Sequence, residues 1–144
     1  MTLQREAIVA AARAWIGTPY RHQASCIGAG ADCLGLVRGV WREIRGTEPE
    51  TPPEYTLDWS EPQRQERLWR AASRHMREKP VAEAEWGDVL LFRMRDGAVA
   101  KHLGILSTDD DPARFVHAYS RVGVVESPLS LPWRRRVVSC FEFP

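Results

Sequence analysis

Over the first half of the chain apolar residues recur every three or four positions, and beyond Trp86 they recur every second one. The first period is that of a helix with one buried face, the second that of a half-buried strand. Thr2 opens a helix whose stripe is Leu3, Ala7, Ile8, Ala11, Ala12 and Trp15, and Gly17 closes it with Pro19 beyond. A second helix carries Leu36, Val37, Val40, Trp41 and Ile44 on one face, with Gly46 as its C′ residue. Between helices, residues 47–59 hold three prolines and read as an extended connection. Ser60-Glu61-Pro62-Gln63 resembles a capping box, predicting a third helix that runs to about Arg77 with Leu68, Ala72 and Met76 inward. Trp86-Gly87-Asp88 then reads as a turn. Strands are expected over 89–95, 101–107, 114–118, 123–126 and 136–143, with Asp96-Gly97 as a hairpin turn between the first two. Helices first and an antiparallel sheet of about five or six strands afterwards make an α+β domain.

At 144 residues, one domain spanning 1–144 is the simplest reading. The formal net charge is +1, with 27% charged and 44% hydrophobic residues. That balance argues against nucleic acid or an anionic membrane surface as a partner, since both call for a basic excess. Arg134-Arg135-Arg136 reads as a solvated basic turn before the last strand. No apolar run approaches the ~20 residues of a membrane span. Charge near Met1, at Arg5 and Glu6, stands where a signal peptide needs apolar residues, so the chain is expected to be made in the cytoplasm without one. Three cysteines and no CxxC argue against a disulfide scaffold or zinc ribbon. Cys26 reads as a loop thiol and Cys140 as a core strand residue.

The remaining cysteine is the informative one. A loop rich in Gly and Ala (Ile27 to Ala31) leads into Asp32-Cys33-Leu34-Gly35, where Asp32 is a good N-cap and Cys33 the first helical residue. Unpaired N–H groups and the helix dipole favour a thiolate there. A thiolate nucleophile needs a base, and the base a polar group that orients it. His102 and His117, each in an expected strand, are the candidates; Tyr20 and His22 lie in the polar loop before Cys33, near enough in sequence to fold over it. Each has a plainer reading: core histidines for the strand pair, a packed aromatic for Tyr20, a surface side chain for His22.

Asp32-Cys33-Leu34-Gly35-Leu36-Val37, His102-Leu103-Gly104-Ile105 and Val116-His117-Ala118 resemble the three-part signature of the NlpC-type cysteine peptidases. These are papain-like bacterial cell-wall hydrolases. Gly17-Thr18-Pro19-Tyr20 and Gly87-Asp88-Val89-Leu90-Leu91-Phe92 fit as well, so the resemblance spans almost the whole chain. It implies a papain-like fold, Cys33 as nucleophile, His102 as general base and acid, and His117 as its orienting partner. It implies Tyr20 beside the nucleophile, helping the oxyanion or the substrate. The substrate implied is the peptidoglycan stem peptide, cut between D-γ-glutamate and diaminopimelate or lysine, with no cofactor and no metal. Asp32, Tyr20 and His22 are the candidate substrate contacts. Leu34 departs from the family, which mostly has Ser there. Pro19 to Gln23 together with Asp32 to Trp41 resemble the compact subgroup encoded among phage and gene-transfer-agent tail genes. For that subgroup other tail proteins are the expected partners, and the particle tail would bring the enzyme to the periplasm and wall.

Three other readings stay open at this level. Cys33, His102 and His117 are also zinc-ligand types, and an open fourth position would permit metal-assisted hydrolysis. A catalytically inactive structural tail module would need none of the three. A thiol acyltransferase or amidase acting on lipid would mostly place His before Cys and carry a hydrophobic anchor, unlike this chain.

Overall fold

The computed structural model describes residues 2–52, 55 and 66–144. Helix α1 (Thr2–Ala14) is followed by two short paired strands, β1 (Ser25–Cys26) and β2 (Gly30–Ala31), and by helix α2 (Cys33–Arg45). Helix α3 (Arg67–His75) leads into β3 (Arg77–Lys79) and a single 3₁₀ turn over Val81–Glu83. The remaining strands are β4 (Val89–Phe92), β5 (His102–Thr108), β6 (Arg114–Tyr119), β7 (Gly123–Pro128) and β8 (Val137–Glu142), with helix α4 (Leu131–Arg134) before the last. Six strands form one antiparallel sheet in the order β3-β8-β4-β5-β6-β7. The expected α+β class is thus the one observed.

The alternation along each strand divides the sheet into two faces. Leu103, Ile105, Val116 and Ala118 meet Ile8, Ala12, Leu36 and Val40 of the first two helices. On the other face Leu90, Phe92, Leu106, Phe115 and Cys140 form a second cluster, with Trp133 of α4 against it. Helices thus cover one face thickly, and a four-residue helix covers part of the other.

Two glycines set how closely α2 can approach its neighbours. A Cβ at Gly35 would lie 1.8 Å from the Ala24 carbonyl oxygen, and one at Gly39 would lie 2.0 Å from the Trp15 ring. The first contact is backbone and cannot yield, so the helix start is held against the loop before it. Residue 35 is free of a side chain because the chain passes there.

Several expectations need correction. In α1 the buried residues include Val9, whereas Leu3 is 81% exposed and Ala7 is exposed, so the stripe is shifted around the helix. The proposed capping box at Ser60–Gln63 lies outside the described residues, as does most of the 47–59 connection beyond Pro52. Helix α3 ends at His75 rather than near Arg77, because Arg77–Lys79 pairs with β8. At the end of α3, His75 Nε2 lies 2.7 Å from a Glu50 carboxylate oxygen. The first long strand stops at Phe92, and 93–101 form a loop in place of a tight hairpin. In that loop the Arg93 guanidinium donates to the Glu66 carboxylate and to the Ala98 carbonyl. Cys26 sits on β1, exposed, while Cys140 is buried on β8 as expected.

Candidate active site

Asp32 terminates the loop before α2 in extended conformation, with φ −99° and ψ −174°. Its Oδ1 accepts the Gly35 N–H at 2.7 Å, as an N-cap should. Its Oδ2 accepts the Gln23 N–H at 2.7 Å and also the Tyr55 hydroxyl. His22 Nδ1 stands 3.8 Å from that same oxygen, and its Nε2 is 2.8 Å from the Tyr55 carbonyl oxygen, which Gln23 Nε2 also reaches at 2.6 Å. The Asp32 carboxylate is 2% exposed, and these donors take the place of water around it. Tyr20 is placed by a parallel bridge to Ala31, one residue before the cap. Burial, then the neighbouring Cys33 and Asp32, push its hydroxyl up to about 12.

Cys33 follows as the first residue of α2, 6% exposed. Its Sγ lies 3.6 Å from the Lys101 carbonyl oxygen, and the Leu103 N–H also points toward the sulfur. The thiol therefore sits against the backbone on either side of His102. Burial pushes it up to about 12, with Asp32 adding to the rise; the N–H groups of Leu103, Leu34 and Cys33 oppose without cancelling it. This corrects the expectation of a dipole-stabilised thiolate. Desolvation of a fully enclosed sulfur outweighs the helix terminus.

His102 opens β5, and His117 lies on β6 with its side chain on the same face. His102 Nε2 and His117 Nδ1 are 2.8 Å apart, and His117 Nε2 is 2.9 Å from Ser127 Oγ. The rings are enclosed by aromatic neighbours: Trp133 lies 5.7 Å from His102 and 5.0 Å from His117, and Phe115 lies 4.2 Å from His117. Burial, and then the adjacent His117, bring His102 down to about 3, while burial brings His117 down to about 4. Both imidazoles are neutral at pH 7. Among the described residues no hydrogen bond joins Cys33 Sγ to the His102 ring, so the thiol must turn from Lys101 to reach it. With Nε2 committed to His117, Nδ1 is the His102 nitrogen left to receive a proton.

The structure thus brings together Tyr20, Asp32, Cys33, His102 and His117, with His22 at the margin against Asp32 and Tyr55. Three contributors escaped the sequence reading. Tyr55 was hidden in a proline-rich connection, Trp133 in a helix of one turn, and Ser127 beyond the expected end of its strand. Only for Ser127 was a signal present, since alternation places it on the face of Val125 and hence beside His117. The two histidines direct a ring nitrogen each at the other, which leaves those atoms no room for a shared ion. Among the described residues no group of three or more His, Cys, Asp or Glu is arranged to hold a metal.

Beside the site is a cavity of about 570 Å³ whose apolar lining includes Leu34, Val37, Trp41, Leu68 and Leu103, with Tyr55 at its border. Leu34, the residue that departs from the usual Ser, faces this space.

The model of the NlpC/P60 family matches residues 17–141. The chain belongs to the NlpC/P60 family. Its fold is similar to the NlpC/p60 domain of the peptidoglycan hydrolase SagA, at 22% identity and TM-score 0.65 over 96% of this chain and 98% of that one. An NlpC/P60 protein from Bacillus cereus is similar at 17% identity and TM-score 0.68, over 96% of this chain and 40% of that one. A lipoprotein-like NLP/P60 protein from Staphylococcus aureus matches at 20% identity and TM-score 0.64, over 99% and 42%. The chain thus spans about two-fifths of the last two. No curated protein matches it. This NlpC/P60 domain carries its Cys, His and His on α2, β5 and β6.

Proposed function

We propose that this NlpC/P60 chain is a cysteine endopeptidase of peptidoglycan stem peptides, acting between D-γ-glutamate and diaminopimelate or lysine. The observation that carries the reading is the His102–His117 pair at 2.8 Å, held at the strand start against which the Cys33 sulfur rests. Family membership and the likeness to the SagA domain supply the substrate class.

The chemistry starts from a neutral thiol and a neutral imidazole. As the sulfur attacks the scissile carbonyl carbon, its proton passes to His102 Nδ1, so no free thiolate has to persist in the buried site. The S–C bond forms, and the carbonyl electron pair moves onto oxygen. The Cys33 backbone N–H, with the Tyr20 hydroxyl as a second donor, holds that oxyanion. His102 then returns the proton to the leaving amine as the C–N bond breaks. Water, deprotonated by His102, hydrolyses the thioester and regenerates the thiol. His117 holds His102 throughout. Asp32, buried beneath Gln23, Gly35 and Tyr55, holds the loop that carries Tyr20 and His22 against the start of α2, so those two side chains are the ones left to meet the substrate.

The setting belongs to the same proposal: a phage or gene-transfer-agent tail, made in the cytoplasm and delivered to the wall with other tail proteins. The resemblance of residues 19–23 and 32–41 to that compact subgroup supports it.

Digestion of purified peptidoglycan by wild-type and Cys33→Ala protein, with mass spectrometry of the released peptides, tests the reaction. New amino termini on diaminopimelate or lysine, made by the wild type alone, are expected. Intact stems, or identical products from Cys33→Ala, would sink the reading.

A further inference from the structure

The hydrogen-bond line through the site does not stop at the second histidine. His117 Nε2 is 2.9 Å from Ser127 Oγ, and among the described residues Ser127 is that nitrogen's one hydrogen-bond partner. The register explains the contact: His117 lies opposite Val125 and Phe115 opposite Ser127, so Ser127 is the diagonal neighbour of His117 on the same face. His117 is 1% exposed, whereas Ser127 is half-buried and can turn its own proton toward the surface.

The proton positions follow from valence. A neutral imidazole has one N–H. For His102 to receive the thiol proton at Nδ1, its own N–H must be on Nε2, which points at His117 Nδ1. That atom must then accept, which puts the N–H of His117 on Nε2. A buried N–H must find an acceptor, and Ser127 Oγ is the atom in place. In the opposite arrangement His117 carries its N–H on Nδ1 and donates to His102 Nε2. His102 then has its proton on Nδ1 and can take nothing from the sulfur. Without an oxygen at residue 127, the productive arrangement leaves a buried donor unpaired, whereas the unproductive one leaves only a bare lone pair. The second costs less, so the balance tips away from the reactive form.

We infer that Ser127 is a positioning residue, accepting the His117 Nε2–H so that His102 presents an unprotonated Nδ1 to the Cys33 thiol. The inference rests on the hydrolase reading for its consequence in turnover, but not for the tautomer itself.

Ser127→Thr and Ser127→Val test it as a pair, since they share a shape suited to a strand and differ in one hydroxyl. Two quantities are read: steady-state rates on a defined stem peptide, and the ¹⁵N shifts of the His117 ring, with melting recorded for each variant. The wild type and Ser127→Thr should show His117 as the Nε2–H tautomer with similar kcat. Ser127→Val should show the Nδ1–H form gaining, with kcat lower by about 10-fold, the lesser end of what loss of a histidine's outer partner costs at metal sites, and KM unchanged. A Ser127→Val protein that keeps the Nε2–H tautomer and wild-type kcat overturns the inference, as does a Ser127→Thr protein with the tautomer of Ser127→Val. Failure of the hydrolase reading looks different. Cys33→Ala would then match the wild type on peptidoglycan, while the ¹⁵N difference between Thr and Val at 127 would still appear.

Discussion

Two buried polar clusters lie on this one sheet, and they are built on opposite principles. At the end formed by β3, β4 and β8, Asp88 is fully buried and accepts from Arg5 at 2.8 Å and from Lys79 at 2.7 Å. Glu142, 2.8 Å from Arg5 and 3.4 Å from Lys79, and Glu85, 3.0 Å from Arg5, add to the group. The carboxylates hold the Arg5 and Lys79 cations above their usual range despite burial, and Glu142 is held below its own by Arg77 and Lys79 despite a burial penalty. At the β5–β6 site, Cys33, His102 and His117 are just as enclosed, yet among the described residues no opposite charge is paired with either ring. There, burial is relieved by neutrality instead. The first cluster is charged, paired and has no group free to react. The second is neutral, and one ring nitrogen and one thiol have no fixed partner of the other kind. Burial by itself does not mark a reactive site; burial without compensation does.

The contrast can be broken most sharply at Cys33. Cys33→Ala, and likewise His102→Ala, should lower turnover of a stem peptide by about 10⁴-fold or more, with melting nearly unchanged for Cys33→Ala. Retained turnover in Cys33→Ala would make the neutral cluster as structural as the charged one. The converse experiment is Asp88→Ala. It leaves Arg5 and Lys79 buried beside too little negative charge and should cost about 3–5 kcal/mol, read as a large drop in melting temperature. Turnover per folded molecule should persist there.

His117 gives a finer test. His117→Asn and His117→Gln keep a polar partner for His102 and should retain measurable turnover, with His117→Ala lower than both. Near-wild-type rates for all three would reduce His117 to a core residue. Equal and total loss for His102→Ala and His117→Asn would instead point back to a metal.

The smallest expected effect is on pH. The folded values of about 3 for His102 and about 4 for His117 lie below the ordinary 6.5. The unfolded chain therefore binds more protons between these limits, and stability present above about pH 6.5 is lost as pH falls toward 4. Melting temperature should decline over that window, and less steeply in His117→Gln. Alkylation gives the thiol side: Cys33, held up to about 12, should react slowly at neutral pH with its rate still rising above pH 9, while exposed Cys26 reacts first. A Cys33 rate that is already maximal at pH 6 would show an ion pair with His102 in place of the neutral pair.

Much of this was readable along the chain because it depends on local order. The change from helical to alternating periodicity gave the α+β class, since each element must put one face into a core. The Asp32 cap before Cys33 was visible because capping joins residues three apart, as its bond to Gly35 shows. The alternation around His102 likewise placed it with Gly104 and Leu106, away from Leu103 and Ile105. Element ends were less legible: β3 looks like the tail of a helix until β8 pairs with it, and β5 starts one residue later than expected.

Residue identity and periodicity therefore determined the class of fold, the position of the thiol at a helix start, and the two histidines available to it. Charge state was a different matter. The helix dipole argued for a thiolate, but a dipole acts over one turn, whereas desolvation is set by everything packed around the sulfur. Only the assembled layers fixed that. The same holds for the partners of the site: Tyr55 over Asp32, Trp133 against His102 and Ser127 behind His117 are 23, 31 and 10 residues from the groups they touch. Their contacts come from strand register and loop path, which no single stretch of sequence contains.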